Sequence, residues 1–417
     1  MARRDRWSSG ARGGRYGRRR SRGRRVGRVL LVVVVVVVVL GAVQLLRGVP
    51  QPSYDAMLST ATVPGRTPSV PWPSQGEAAA EIVGVGNLGT YGSQSPQVIA
   101  SVTKMMTALV LIHDHPLSLG EQGPSITITP QDYQIYLADK AANDSVMAVA
   151  PGEQLSEYQA LEALLIPSAD NMATVLAIWD AGSVKAFVAK MNAEAKKLGL
   201  TDTHYADPSG LSAGTYSNAI SQLKVARLVM DNPVLAGIVA QPQATLPVAG
   251  VVYNVNGEVT HHGIIGVKTG SILTGNFAMA CAIHVAGRTY TGLGVVLDQG
   301  GVAPLETALH AGERLAVFEE QLLRPVTVVR EGQELGALAV PGGAQVPVVA
   351  SRGVTLVGWP GLLVSVSVRL DHHLYGVRAG SVIGTATVSL GEQRVEVPLR
   401  VVATVQRPPL LWRLTQL

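Results

Sequence analysis

The sequence predicts an α+β domain followed by a smaller all-β domain, and three observations support this. From about residue 76, stretches with helical spacing such as 161–179 alternate with strand-like runs at 80–85 and 264–298, the pattern of a sheet backed by helices. Over roughly the last hundred residues, apolar and polar side chains alternate with period two, as in half-buried strands. The 371 residues after residue 46 are also more than one hydrophobic core usually holds.

The N-terminal part divides into a basic tail, an apolar segment and a proline-rich stretch. Residues 1–28 contain twelve arginines and one acid, whereas the rest of the chain carries 22 basic and 28 acidic residues, a net charge of −6. Residues 29–46 are apolar apart from Gln44, and 18 helical residues reach about 27 Å, enough for the hydrocarbon core of a bilayer. The six prolines of residues 47–75 predict an extended linker that lifts the first domain off the membrane.

This charge distribution predicts location and excludes one class of partner. Because arginine-rich flanks stay on the cytoplasmic side, we expect residues 29–46 to be a single-pass anchor in a bacterial cell membrane, with the N-terminus in the cytoplasm and the globular part outside. A cleaved signal peptide is the alternative, but no small-x-small cleavage site is obvious behind the apolar run. Since the positive charge belongs to the tail, we expect no nucleic-acid partner.

Three short motifs follow one another in the first globular part: Ser101-Val102-Thr103-Lys104, Ser168-Ala169-Asp170-Asn171 and Lys268-Thr269-Gly270. Together they supply a nucleophile, two amines and a second hydroxyl, the components of a lysine-assisted serine acyl-transfer site. A second Ser-x-x-Lys occurs at 221–224. It is not the candidate, because no serine lies between Lys224 and Lys268 to provide the hydroxyl motif.

Local patterns predict how these side chains meet. A helix from Ser101 onward would place Ser101 and Lys104 on one face, within reach of each other, and would leave the Ser101 N–H as a free donor for a developing oxyanion. Residues 264–270 predict a strand and 278–298 a hairpin that turns at 286–288. Lys268 would then line a cleft beside a sheet edge.

The predicted base is Lys104, because no histidine is suitably placed in the sequence to argue for one. Lys104 must then be neutral, and lowering its pKa from about 10.4 to about 7.5 costs roughly 4 kcal/mol. A second cation at about 4 Å supplies a similar energy at an effective dielectric constant of about 20. We expect Lys268 to be that cation, with desolvation acting in the same direction.

The motifs and their flanks resemble the D-alanyl-D-alanine carboxypeptidases, the low-molecular-weight penicillin-binding proteins. The resemblance covers roughly residues 76–300 and extends to the phrases IASVTKMMTAL, LLIPSADNMA, MNAEAKKLGLTDTHYADPSGL and GVKTG. Residues 379–401 look like the β-domain that follows the catalytic domain in many members. The resemblance implies a penicillin-binding/β-lactamase-like transpeptidase domain at 76–318 and a C-terminal β-domain at 319–417.

The resemblance also implies an activity. It is that of a serine-type carboxypeptidase that removes the terminal D-alanine from peptidoglycan stem peptides ending in D-Ala-D-Ala, through an acyl-enzyme on Ser101, and that β-lactam antibiotics inhibit covalently. In this family pattern, Ser168 relays a proton to the leaving D-alanine. The residues Lys268, Thr269, Gly270 and Ser271 bind the substrate: the first two hold its carboxylate, and the Ser271 N–H meets the oxyanion together with that of Ser101. No metal or organic cofactor is implied.

One position departs from the family pattern. The second motif of the family is Ser-x-Asn, whereas here Asp170 takes the third position and Asn171 follows it. An amide donates to a substrate carbonyl, but an ionised aspartate only accepts and raises the pKa of a nearby lysine. Either Asn171 substitutes through a local shift, or Asp170 points away, or activity is reduced.

Two alternative functions therefore stay open. A serine β-lactamase uses the same three motifs but needs a deacylating glutamate, and no E-x-x-L-N occurs between Ser168 and Lys268. A catalytically weak peptidoglycan-binding homologue is the other alternative, which Asp170 supports.

Two further features predict structural roles. The single cysteine, Cys281, lies in an apolar run and is expected to be a small core residue. The sequence at 210–214 matches G-x-S-x-G, but it follows Asp207-Pro208-Ser209 rather than a buried strand, so we expect a structural loop.

Overall fold

The computed structural model describes residues 19–57 and 59–415, so the part of the predicted basic tail before residue 19 lies outside the described residues. The helices are α1 (Arg19–Leu46), α2 (Lys104–Asp114), α3 (Pro130–Ala142), α4 (Glu157–Leu165), α5 (Asp170–Ala181), α6 (Val184–Lys197), α7 (Ala219–Asp231), α8 (Pro233–Val239), α9 (Pro304–Leu322) and α10 (Leu410–Thr415), and a 3-10 turn, η1 (Ala100–Thr103), precedes α2.

The strands of the described residues are β1 (Ser53–Ala56), β2 (Thr60–Thr62), β3 (Glu77–Ile82), β4 (Gly86–Tyr91), β5 (Gln97–Val98), β6 (Ser125–Thr127), β7 (Gln154–Ser156), β8 (Tyr216–Ser217), β9 (Gln243–Leu246), β10 (Gly250–Tyr253), β11 (Ile264–Ser271), β12 (Gly275–Val285), β13 (Arg288–Gln299), β14 (Arg324–Val329), β15 (Glu334–Val340), β16 (Ala344–Ala350), β17 (Val354–Gly358), β18 (Leu363–Leu370), β19 (Val382–Leu390) and β20 (Gln393–Val401).

The first domain is a five-stranded antiparallel sheet in the order β11-β12-β13-β3-β4 with helices on both faces. Successive residues of β12 point to opposite faces, so Ala278 and Ala280 join the core formed with α2, α4 and α5, whereas Phe277 and Met279 pack against α9. The predicted α+β class is confirmed. The strand β11 is the edge strand of the sheet, so it pairs with β12 on one side only. It also contacts η1 and α8 of the helical part of the domain.

The predicted hairpin is also confirmed. Strands β12 and β13 pair up to Val285 and Arg288, and the two turn residues, Ala286 and Gly287, both have positive φ, as a tight two-residue turn requires. Cys281 of β12 is a buried core residue, as expected. Its thiol donates to the carboxylate of the buried Glu319 at 3.4 Å.

The helix predicted over 161–179 is two helices, and this interruption matters for the site. Helix α4 ends at Leu165 and α5 begins at Asp170. Pro167 lies between them, and a proline has no backbone N–H to donate to the preceding turn, so α4 does not continue through it. Ser168 adopts a positive φ of 65° at this break. The second motif therefore lies at the N-terminus of a helix instead of in the middle of one.

The second domain is all-β. Its C-terminal part begins later than predicted, and the domain also includes two strands from residues 53–62. The boundary expected between residues 318 and 319 falls inside α9, which packs on β12 and β13 and ends at Leu322. The main sheet has the order β1-β15-β16-β20-β19-β18-β2. Its two edge strands, β1 and β2, come from residues 53–62, which the prolines had predicted to be linker.

Residues 53–62 close this sheet. The Met57 N–H donates to the Leu335 carbonyl beside β1, and the Val366 N–H of β18 donates to the Ser59 carbonyl beside β2, both at 3.0 Å. Residues 57 and 59 are at most about 7 Å apart, so the two sheet edges must curl towards each other. The expectation of a linker is therefore wrong for this segment, because its backbone pairs with β15 and β18, whose edges would otherwise be free.

Helix α1 precedes this segment. Residues 23–46 are long and apolar enough to cross a membrane, and none of that surface is buried in the described structure. The predicted span, residues 29–46, lies within it. The short α10 contacts the end of α1, where the Arg413 guanidinium donates to the Leu45 carbonyl.

Candidate active site

Ser101 and Lys104 lie where η1 passes into α2. The predicted helix thus begins with a tighter 3-10 turn, and Ala100, the residue before the serine, has a positive φ of 47°. The Lys104 Nζ donates to the Ser101 Oγ at 2.8 Å, so the spacing of three residues does bring the two groups together. Ser101 is half-buried, whereas Lys104 is fully buried.

Lys104 has two further partners, which come from distant parts of the chain. Its Nζ lies 2.5 Å from Asp170 Oδ1 and 3.0 Å from the carbonyl oxygen of Ser209. Asp170 is only 2% exposed, so this is a buried ion pair. The Ser209 carbonyl is a contact that the sequence did not predict.

Asp170, at the third position of the second motif, and Asn171, which follows it, make different contacts. Asp170 points at Lys104, and its Oδ2 accepts a hydrogen bond from the Ser145 N–H at 3.0 Å. Asn171 points away, because its side-chain amide accepts from the Met147 N–H and donates to the Met147 carbonyl, both at 3.0 Å. Two of the possibilities left open by the sequence are therefore wrong. Asn171 does not take the place of Asp170 through a local shift, and Asp170 does not point away from Lys104.

Ser168 lies directly before α5, at the break between the two helices. It is only 3% exposed, and its hydroxyl has no hydrogen-bond partner within the described residues. The positive φ of this residue places it outside the helix that follows, and the Ala169 N–H bonds back to the Ala163 carbonyl of α4. A hydroxyl without a protein partner is available to a substrate.

The third motif lies on the edge strand β11, against η1. A methyl group added to Gly270 would lie 2.8 Å from the Ile99 carbonyl oxygen and 2.9 Å from the backbone nitrogens of Ser101 and Val102. Glycine is therefore required there for the strand to approach the backbone of Ser101. Lys268 and Thr269 are buried on the same strand, and the Lys268 Nζ donates to the Thr269 carbonyl at 3.1 Å. Ser271, the next residue, is exposed.

Burial controls the electrostatics of both lysines. Desolvation lowers the pKa of Lys268 well below its ordinary value, the neighbouring Lys104 lowers it further, and Asp170 opposes both effects. Desolvation also lowers the pKa of Lys104, while Asp170 is the principal group that raises it. The expected direction for Lys104 is confirmed, but the expected cause is wrong: burial, and not the charge of Lys268, is the main reason.

The loop at 207–215 has the structural role predicted for it. The Asp207 carboxylate accepts from the backbone N–H groups of Gly210 and Leu211 at 2.7 and 2.9 Å. Gly210 has a positive φ of 90° and contacts the Ala100 carbonyl so closely that no side chain fits. The loop thereby supports η1 and presents the Ser209 carbonyl to Lys104.

The second Ser-x-x-Lys copy is no part of this site. It lies on α7, where the Ser221 hydroxyl donates to the Thr201 carbonyl at 3.2 Å and Lys224 is exposed. Of the two copies, only the first lies next to the second and third motifs among the described residues.

The family model described as D-alanyl-D-alanine carboxypeptidase matches residues 88–298, half of the chain. The chain belongs to this serine peptidase family.

Named relatives agree with this assignment. The chain is 34% identical over 184 residues to the D-alanyl-D-alanine carboxypeptidase DacB2 of Mycobacterium tuberculosis, a match that covers 41% of this chain and 57% of that protein. It is 29% identical over 222 residues to the D-alanyl-D-alanine carboxypeptidase of Streptomyces K15, covering 49% of this chain and 74% of the relative. The first match thus spans little more than half of the relative's length.

Solved structures share the fold. Penicillin-binding protein 5 of Haemophilus influenzae superimposes with a TM-score of 0.55 at 18% identity, covering 82% of this chain and all of that chain. The Streptomyces K15 DD-transpeptidase, solved as a serine-to-alanine mutant, has a TM-score of 0.50 at 25% identity, and the match covers 60% of this chain and 99% of that chain. The predicted penicillin-binding-protein fold is confirmed.

Proposed function

We propose that this protein is a serine-type D-Ala-D-Ala carboxypeptidase that trims the terminal D-alanine from peptidoglycan stem peptides. The observation that carries the proposal is the meeting of three separate motifs around one hydroxyl. Ser101 bonds to Lys104, Lys104 bonds to Asp170 of the second motif, and Gly270 of the third contacts the Ser101 backbone.

The first half of the reaction forms an acyl-enzyme. Once Lys104 is neutral, its Nζ takes the Ser101 hydroxyl proton while the Oγ bonds to the carbonyl carbon of the D-Ala-D-Ala peptide. The backbone N–H groups of Ser101 and Ser271 stabilise the resulting oxyanion. The peptide bond then breaks, and the leaving D-alanine takes a proton that Ser168 relays from Lys104.

The second half releases the product. Water attacks the Ser101 ester, the same lysine removes its proton, and the ester oxygen leaves as the serine hydroxyl. Lys268 and Thr269 bind the terminal carboxylate of the substrate during acylation. Burial lowers the pKa of Lys268 in the free site, but a substrate carboxylate beside it favours the ammonium form, and the attraction between the two charges is little screened by water.

The proposed location is the outer face of the bacterial cell membrane. Helix α1 is the anchor, with its N-terminus in the cytoplasm and residues after 47 outside. Isolation of the mature protein from the membrane fraction, with its original N-terminus, tests this. N-terminal sequences beginning near residues 43–50 would instead indicate a cleaved signal peptide.

A fluorescent penicillin tests the proposed chemistry, because β-lactams acylate the same nucleophile. We expect a durable label on Ser101 and release of D-alanine from a peptide ending in D-Ala-D-Ala. Rapid turnover of the label would indicate a β-lactamase. Absence of both label and D-alanine release would indicate a peptidoglycan-binding protein without catalysis.

A further inference from the structure

We infer that Asp170 holds Lys104 as an ammonium ion in the resting enzyme and thereby sets the pH above which Ser101 can be acylated. This inference rests on the proposed function, since it concerns the regulation of the same site. Asp170 acts through Lys104 and is therefore a positioning residue.

The hydrogen bonds of Lys104 carry the inference. An ammonium group has three protons and no acceptor, and the Lys104 Nζ has three acceptors around it: Ser101 Oγ at 2.8 Å, Asp170 Oδ1 at 2.5 Å and the Ser209 carbonyl at 3.0 Å. Every proton has a partner. In this arrangement the lysine donates to the nucleophile and has no lone pair with which to take its proton.

Asp170 is the partner that makes this state stable, because it is the charged one of the three acceptors. Both members of the pair are almost completely removed from water, and breaking such a pair leaves an uncompensated buried charge. The carboxylate is also fixed in place. Its second oxygen accepts the Ser145 N–H, and its own backbone N–H donates to the Ser145 carbonyl at 2.7 Å.

Other charged groups face Lys104 from the surrounding elements. Asp207, in the loop before α7, and Asp144, after α3, both favour the protonated lysine, but neither contacts its Nζ. Lys268 on β11 interacts with Lys104 and Asp170, and Asp139 of α3 interacts with Lys104, Asp144 and Asp170. Among these groups Asp170 is the one in direct contact, so its removal should have the largest effect.

The consequence is an additional proton step before acylation. One proton must leave the Lys104 Nζ for bulk water. Only then can the neutral amine take the Ser101 Oγ proton as the oxygen bonds to the acyl carbon. Burial favours the neutral amine and Asp170 favours the ammonium ion, so the pKa of Lys104 reflects the balance of the two. Acylation should rise with pH, and removal of the carboxylate should move that rise to lower pH.

The test compares acylation rates of the full-length protein by a fluorescent penicillin from pH 5 to pH 10. We expect Asp170→Asn to shift the rising limb to lower pH by about one unit or more, which is about a tenfold faster acylation on that limb. Asn171→Ala is the matched control. Asn171 bonds to the backbone of the same 145–147 segment but not to Lys104. The pH at which acylation of the Asn171→Ala variant begins to rise should therefore equal that of the wild type.

A second variant covers the case in which Asp170→Asn does not fold. Asp144 lies on a partly exposed loop, so Asp144→Asn should fold, and it should shift the onset in the same direction by a smaller amount. An unchanged onset in folded Asp170→Asn would overturn the inference. So would an equal shift in Asn171→Ala, since that would trace the effect to the loop instead of to the charge.

A readout that does not need catalysis separates the two proposals. Lysine labelled with ¹³C at Cε reports the protonation of Lys104 by NMR in the Ser101→Ala background. We expect Lys104 to titrate at lower pH when Asp170→Asn is added. If penicillin acylates no variant at any pH while this titration shifts, the proposed function fails and the inference about the Lys104–Asp170 pair survives.

Discussion

Gly270 lies directly against the backbone of Ser101. A methyl group at Gly270 would come within 2.9 Å of the Ser101 nitrogen, closer than real Cβ atoms approach other atoms. This contact joins the edge strand β11 to η1, the turn that contains Ser101. The distance between Lys268 and Ser101 therefore depends on a residue without a side chain.

The first prediction follows from that contact. Gly270→Ala should force β11 away from η1 and slow acylation of Ser101 by about 100-fold, the size of effect expected when reacting groups move by about 1 Å. The acylation rate with a fluorescent penicillin measures this. Gly257→Ala is the matched control, because a methyl group there meets no atom within 4 Å. Equal rates for both variants would show that the close approach is unimportant.

The second prediction concerns the nucleophile. Ser101→Ala should abolish both the penicillin adduct and D-alanine release, because no other hydroxyl bonds to Lys104 among the described residues. Ser221→Ala should retain both, since the Ser221 hydroxyl bonds to the Thr201 carbonyl elsewhere in the domain. Ser212→Ala, in the loop, should also retain them. Mass spectrometry of the adduct decides, and a modified Ser212 would refute the assignment.

The third prediction concerns a buried carboxyl group outside the site. Glu157 is fully buried, neither carboxylate oxygen has a hydrogen-bond partner, and burial raises its pKa to about 7. The folded state therefore holds a proton that the unfolded state releases near pH 4.5. Stability should fall as pH rises from about 4.5 to about 7, by up to about 3 kcal/mol from this group.

Replacement by glutamine tests that assignment, because it keeps the shape and removes the charge. Glu157→Gln should raise the free energy of unfolding above pH 7 and leave it nearly unchanged below pH 4.5. Denaturant titrations at pH 4 and pH 8 measure the difference. Glu121→Gln, in the exposed loop before β6, is the control. The same increment at both pH values would mean that the charge of Glu157 is not the cause.

The fourth prediction concerns the closure of the β-domain. Gly336 of β15 lies so close to β1 that a Cβ would come within 2.5 Å of the Asp55 carbonyl and the Tyr54 hydroxyl. Gly336→Val should displace β1 and expose the edge of β15, destabilising this domain by about 1–3 kcal/mol. Limited proteolysis between residues 50 and 65 measures the displacement.

This variant has a control within the same domain and a second readout. Gly353→Ala should not increase cleavage, because its nearest neighbours are 3.5 Å from the added atom. Ser101 acylation should persist in both variants, since the core around the site is separate from the core of the β-domain. If Gly336→Val is cleaved no faster than the wild type, residues 53–62 do not need the close contact to hold the sheet closed.

Elements whose pattern is local could be predicted from the amino-acid sequence. The spacing of Ser101 and Lys104, the alternation along β18 and β20, and the hairpin turn after Val285 all follow from periods of 3.6 or 2 residues and from turn chemistry. The order of the three motifs was enough to choose Ser101 over Ser221. These features depend on residues that are neighbours in the chain, so they can be predicted from the sequence.

Contacts between distant segments could be identified only in the folded chain. Asp170 lies 66 positions from Lys104, and Ser209 lies 105 positions from it, so no periodicity indicates that either one bonds to its amine. The strands at 53–62 looked like linker because their partners, β15 and β18, lie 280 to 305 residues later. Burial likewise exists only after folding, and it is burial that lowers the pKa of Lys104 while placing beside it the carboxylate that opposes the change.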